Sequence, residues 1–318
     1  MATGTASIAR SDRRVPQGRG GVVYPAFWMA AIALILTLVV RLPLNSPTAT
    51  YAATLVFVCG GMPHGAYDIA LLLRATRLGR GGLALAVGGY VAIAGVMASL
   101  WIAAPLIALI VFIAAASVHF GEDWTMLDEP LLKVAAGTAI IAAAAIGHPA
   151  DVARLFVAMA GSDGGETVAR AMIAVAPVAL LVTTVGIAIA WRDGARGWAA
   201  ATAIALVALI IAPPVAGFAL FFVFLHSPRH LAGARTALGD VSRGWWLATG
   251  AIMSGLAIGG WLLFASTVSR LLTSDQTAQA FQLLATVAVP HLLFSRWIEQ
   301  RLAPGVQPSP GFQDRPIS

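Results

Sequence analysis

The sequence predicts an all-α, polytopic transmembrane helical bundle of about ten spans, eight being the lower count, with both termini cytoplasmic. Three observations predict it. Of the 318 residues, 59% are hydrophobic and 11% charged, whereas soluble domains carry about 25% charged residues. Several apolar runs approach or exceed the roughly 20 residues that cross hydrocarbon as a helix. The basic residues sit in short segments between those runs, where orientation in a bilayer accounts for them. For that reason the net charge of +6 does not argue for a nucleic-acid partner. The multi-pass location this implies is the cell membrane.

The chain divides into a polar, Arg-rich segment 1–24, a transmembrane catalytic bundle 25–300 and a tail 301–318, Pro-rich and polar, that reads as disordered. The first run, 26–40, lacks an obvious small-residue cleavage site and reads as a retained span, not a signal peptide. Next come 51–73, ending at Arg74, and 83–103 and 106–120, divided almost only by Pro105. The acidic turn 121–130 precedes span 132–147. An outer loop, 151–166, with an interfacial turn at 155–159, leads to 168–190. Spans 198–211 and 215–234 are divided at 212–214, again by proline, which ends one helix and can begin another. These two joints read as tight hairpins or kinked re-entrant pieces. The last runs are 245–268 and 280–298.

Charge tests the topology. With the N-terminus inside, the inner segments hold Arg10, Arg13, Arg14, Arg19, Arg74, Arg77, Arg80, Lys133, Arg192, Arg196, Arg229, Arg235, Arg243, Arg296, Arg301 and Arg315. Only Arg41, Arg154, Arg170 and Arg270 fall outside. Sixteen against four is the bias that the positive-inside rule expects of ten spans. The single cysteine, Cys59, rules out an internal disulfide.

The same topology sorts the six histidines. His64, His119, His226, His230 and His291 fall in the inner half or at the inner end of the second, fourth, eighth and tenth spans. At about 1.5 Å rise per residue they share one depth, so they can meet. His148, at the outer end of the fifth span, cannot join them. One buried histidine can simply bridge two helices by a hydrogen bond. Five at a shared depth point to a functional site, because polar groups there face a cavity or a partner.

Local motifs sharpen this. In FLHSPRHL, His226 and His230 stand at i and i+4, with both rings on one face and able to grip one ion. Pro228 between them is expected to kink the helix and free a carbonyl. In GMPHGAYD, Gly60, Gly61 and Gly65 allow a neighbouring helix close in, and Pro63 loosens the ladder before His64. Asp68, one turn on, can accept a proton from the far nitrogen of a metal-bound imidazole, of His64 or of another helix. In SVHFGEDW, Glu122 and Asp123 follow His119 at the inner mouth and read first as solvated charges, with support of a ligand histidine as the other reading. VPHLLF supplies His291.

Neutral imidazoles suit iron, zinc, copper or nickel, and residue type does not choose among them. Absent thiolates exclude an iron–sulfur site. Two histidines facing the same way from one helix suit a small ion better than a haem, and five candidates without an HxxHH box argue for one metal, not two. Phe218, Phe221, Phe222 and Phe224 crowd the eighth span. Phe221, Phe222 and Phe224 are candidates to line an apolar tunnel for a lipid-soluble substrate.

PHGAYD, VHFGEDW, HSPRH and VPH occur in the same order and in comparable spans as in the Brp/Blh family, the bacterial and archaeal membrane β-carotene 15,15′-dioxygenases. The sequence resembles that family from about residue 55 to 298. The resemblance implies Fe(2+)-dependent cleavage of the central double bond of β-carotene by O2, giving two all-trans-retinal molecules. Carried over by motif, the ligands are His64, His119, His226 and His230, with His291 and Asp68 as a further ligand or as support. The implied partners are a carotenoid, O2, the bilayer and a retinal-binding rhodopsin that takes the product. Two other readings stay open: a transporter or proton relay using the intramembrane His/Asp cluster, and the same chemistry on another isoprenoid.

Overall fold

The computed structural model describes residues 23–76 and 78–302. The Arg-rich segment up to residue 22 and the tail from residue 303 lie outside the described residues. Among those described, every regular element is helical. In chain order the helices are α1 (Pro25–Val39), α2 (Pro47–Gly61), α3 (Asp68–Ala75), α4 (Arg80–Ala103), α5 (Pro105–Gly121), α6 (Pro130–Gly147) and α7 (Pro149–Ala160). They continue with α8 (Gly164–Arg192), α9 (Arg196–Ile211), α10 (Pro214–Phe221), α11 (Ser227–Leu238), α12 (Arg243–Thr267) and α13 (Gln276–Leu302). A 3-10 turn, Met62–Gly65, joins α2 to α3, and a π-helical segment, Phe222–His226, joins α10 to α11.

Starts and stops follow local chemistry. Helices α1, α2, α5, α6, α7 and α10 begin on proline, whose fixed φ suits a first turn and whose missing N–H is not needed there. Ser46 caps α2 and Ser242 caps α12, each accepting a backbone N–H, at 3.2 and 3.1 Å. Gly161, at φ 59°, ends α7 in the left-handed region that costs glycine least.

Seven helical stretches are long and apolar enough to cross a membrane, and α1, α5 and α9 are shorter apolar helices. The ten expected runs fall on these ten stretches. Large apolar side chains point outward along them: Met29, Leu85, Leu181 and Leu247 are all more than 60% exposed. Such a surface is stable against acyl chains and unstable against water.

The joint at 212–214 is a hairpin. Gly217 lies against the backbone of Ala208 and Leu209, so the first turn of α10 runs back along the last turn of α9. At the centre, α6 packs against α5, α8 and α9 through an alanine face, with Ala136, Ala139 and Ala143 fully buried. A Cβ on Gly137 would collide with the Ser117 carbonyl, so the α5–α6 crossing depends on that small residue. One expectation is corrected. Residues 155–159 form no interfacial turn; they belong to α7, whose Val152, Phe156 and Met159 are buried in the bundle. Buried residues at 152, 156, 159 and 160, the spacing of one helical face, give α7 a true core face.

Candidate metal centre

Five histidines converge where two interrupted helices, the end of α5 and the continuous α13 meet. The His64 ring centroid lies 5.0 to 5.9 Å from those of His119, His226, His230 and His291. Those of His226, His230 and His291 lie 4.8 to 5.1 Å from His119. His148 stands apart, 3.7 Å from Asp151.

Each approach has a local cause. His64 sits on the 3-10 turn created where Pro63 interrupts the ladder. A Cβ on Gly61 would run into the Phe222 ring, and one on Gly60 would lie 2.7 Å from Val223. These glycines therefore let the π-helical segment come against His64. His226 is the last residue of that segment, just ahead of Pro228. The wider π turn re-aims the chain at the point where proline withholds an N–H, and it brings His226 inward with no exposed surface. His291 follows Pro290 within α13, and its ring passes 3.3 Å from where a Cβ on Gly65 would stand.

Behind the imidazoles stand oxygen acceptors. His226 Nδ1 is 2.7 Å from Asp123 Oδ2. His119 Nδ1 is 3.1 Å from Glu122 Oε2, whose other oxygen accepts from Arg296 Nε at 2.9 Å. His291 Nδ1 is 2.9 and 2.8 Å from the two Asp68 oxygens, and Tyr90 donates to the same carboxylate at 3.3 Å. His64 Nδ1 is 2.5 Å from the Gly61 carbonyl. His230, on α11, has Nε2 buried without a hydrogen bond, 3.6 Å from Asp123 Oδ1. Arg229 Nε is 3.7 Å from that same oxygen.

This pattern selects the tautomer. A carboxylate or carbonyl behind Nδ1 accepts its proton, leaving the Nε2 lone pair toward the centre. His226 Nε2 and His119 Nε2 then face each other at 3.1 Å. Two lone pairs at that distance repel unless a cation lies between or beside them. Three overlapping groups, His64–His119–His226, His119–His230–His291 and Asp123–His226–His230, have ligand atoms within 4.8 Å of one another. Nitrogen donors with one carboxylate nearby suit a divalent transition metal. Burial works against the charge of Asp123, which lies in the turn beyond α5. The His226 imidazole prevails and holds its carboxyl well below the usual carboxylate range.

The structure corrects the reading of Glu122 and Asp123 as solvated charges. Asp123 is buried and Glu122 is tied to both His119 and Arg296. Spacing offered a hint for Glu122, at i+3 from His119. It offered none for Asp123, whose partner lies 103 residues on, nor for Tyr90. Asp68 serves a histidine of another helix, one of the two roles its position allowed. The expected tunnel residues divide differently. Phe222 stacks on His226, with centroids 5.6 Å apart, and meets His64 edge-on at 5.3 Å. Phe221 packs on Phe120 at 5.2 Å, and Phe224 is half-buried on the main core. The nearby cavity is walled instead by Phe112, Phe120, Phe156, Phe218 and Phe281.

A family model described as beta-carotene 15,15′-dioxygenase matches residues 54–299. The chain belongs to the beta-carotene 15,15′-dioxygenase family. Membership places it among carotenoid-cleaving dioxygenases, and the matched region holds all five clustered histidines together with Asp68, Tyr90 and Asp123. Among curated relatives, a probable beta-carotene 15,15′-dioxygenase Blh of Halobacterium salinarum is 27% identical over 314 residues, covering 86% of this chain and 91% of the relative. A beta-carotene 15,15′-dioxygenase of an uncultured marine bacterium, 66A03, is 26% identical over 263 residues, covering 77% and 92%. No solved structure matches the chain.

Proposed function

We propose that this family member is an iron-dependent oxygenase of the cell membrane that cleaves the central double bond of β-carotene with O2 to give two retinal molecules. The supporting observation is the pair of imidazole nitrogens aimed at each other, each backed by a carboxylate. A shared proton would satisfy this one pair, but three further histidines around it and the family match favour a metal.

In this reading His64, His119, His226 and His230 hold ferrous iron, and residues 25–300 form the catalytic bundle. His291, oriented by Asp68, stands against the same centre as a further ligand or a wall. When bound, iron supplies the electrons that let O2 react with a closed-shell double bond. One O2 and one C=C balance two C=O groups, so no other reductant is required. The protein's own work is threefold. Glu122, Asp123, Asp68 and the Gly61 carbonyl keep the proton on Nδ1 of their histidines and fix ring orientation. The rings of Phe120, Phe221 and Phe222 exclude water from the reacting atoms. The surrounding apolar bundle positions a lipid-soluble polyene, without an acid or base of its own.

The charge bias supports ten crossings with both termini cytoplasmic, the short helices α1, α5 and α9 being among the crossings. Retinal is itself lipid-soluble and can leave through the bilayer to a retinal-binding rhodopsin.

The direct test is expression in cells that accumulate β-carotene. The orange colour should fade and retinal should appear, and His226→Ala should abolish both effects while the protein still inserts. A full retinal yield from His226→Ala contradicts the assignment. Cleavage of another isoprenoid with β-carotene left intact would keep the chemistry and change the substrate.

A further inference from the structure

Beyond the aromatic layer over the histidines lies a cavity of about 60 Å³ between α5, α6, α7, α10 and α13. Ile113 and Ala116 of α5, Ile140 and Ala144 of α6, and Phe156 and Met159 of α7 form part of its wall. No lining side chain carries a charge, an amide or a hydroxyl. A water held there would find none of the two to four polar partners it needs, so the lining disfavours water.

Size then decides the occupant. An apolar cavity of about 150 Å³ admits benzene or xenon. Pockets for organic ligands usually measure roughly 300 Å³ or more. At about 60 Å³ this void is too small for the substituted ring that ends a carotenoid. It suits a small apolar gas.

Position decides which gas. Phe120 belongs to the cavity wall, and its ring centroid is 5.0 Å from that of His226. Phe218, also in the wall, stacks on Phe222 at 5.2 Å, and Phe222 stacks on His226. The Phe120 and Phe218 centroids are 6.3 Å apart. One ring, Phe120, on one side and two, Phe218 and Phe222, on the other separate the void from the imidazoles.

We propose that the cavity is a dioxygen site, which holds the gas beside the histidine centre and delivers it between Phe120 and Phe218. The identity of the gas rests on the oxygenase reading given above. O2 dissolves better in hydrocarbon than in water, so an apolar pocket inside a lipid-embedded bundle concentrates it without any polar group.

Xenon is the probe, applied to the full chain in detergent with ¹³C-methyl-labelled isoleucine and methionine. Xenon should shift the methyl signals of Ile113, Ile140 and Met159, and Ala144→Leu, which fills the void, should abolish those shifts. In steady state, Ala144→Leu should raise the KM for O2 by about five-fold and move the KM for carotenoid by less than about two-fold. Ala144→Val, a smaller filling, should give part of each effect and keeps the test available if the leucine variant does not fold. Absence of xenon shifts at those methyls overturns the proposal. So does a raised KM for carotenoid with the KM for O2 unmoved, which would assign the void to an end of the polyene. Wild-type protein that leaves carotenoid intact at every O2 pressure sinks the oxygenase reading, and with it O2 as occupant. The xenon shifts report on the cavity independently of that result.

Discussion

Three of the five clustered imidazoles have a carboxylate behind them, and that detail governs behaviour at the scale of single residues. Replacing Asp123 by Asn keeps the shape and removes the charge that holds the Nδ1 proton of His226. Loss of such an outer partner typically costs 10–100-fold in metal affinity. Asp123→Asn should therefore weaken iron binding by about that factor, measured by competition with a chelator. Glu122→Gln should cost less, because Glu122 is partly exposed and shares its charge with Arg296. His148→Ala, remote from the cluster, should retain both iron and activity. Asp68 was legible as a supporting carboxylate because it follows His64 by one turn. Asp123 was legible only as one of two possible supports, and its partner not at all, because His226 comes from a distant helix and sequence spacing carries no information about that meeting.

At the scale of elements, the centre depends on helices that are broken on purpose. Pro63, Pro228 and Pro290 each stand beside a clustered histidine, and two of these sites carry a 3-10 turn or a π-helical segment. The sequence signalled a break near Pro63 and Pro228, but the kind of break depends on what packs against it, and α13 runs unbroken through Pro290. Gly61 is the point of closest approach between the first two breaks. Gly61→Leu should force Phe222 away, separate His64 from His226, and lower iron content in protein that still inserts. Gly137→Leu acts at the α5–α6 crossing, against the backbone of Ser117 and Gly121 on either side of His119. Overpacking of this kind costs about 1–3 kcal/mol, so thermal unfolding in detergent should shift down by several degrees, and displacement of the α5 backbone beside His119 should lower iron content as well.

For the whole molecule, the controlling condition is the bilayer. A bundle with alanine-rich crossings inside and large apolar side chains outside holds its shape where lipid replaces water. Reporter fusions at each terminus should both read cytoplasmic; an outward C-terminus would remove one crossing from the count. Exhaustive chelation should abolish retinal formation, and ferrous iron should restore it better than zinc. Undiminished cleavage after chelation would favour a chemistry without metal.

Composition and the spacing of apolar runs sufficed to establish a helical membrane bundle, because a lipid solvent leaves few other ways to satisfy a backbone. Charge bias and depth sufficed to separate five histidines from the sixth. Which oxygen stands behind which imidazole, that Tyr90 and Asp123 belong to the site, and that an apolar void lies behind the Phe120 ring were decided only by the tertiary structure. Those contacts join residues tens to hundreds of positions apart, and they form only after the helices have docked.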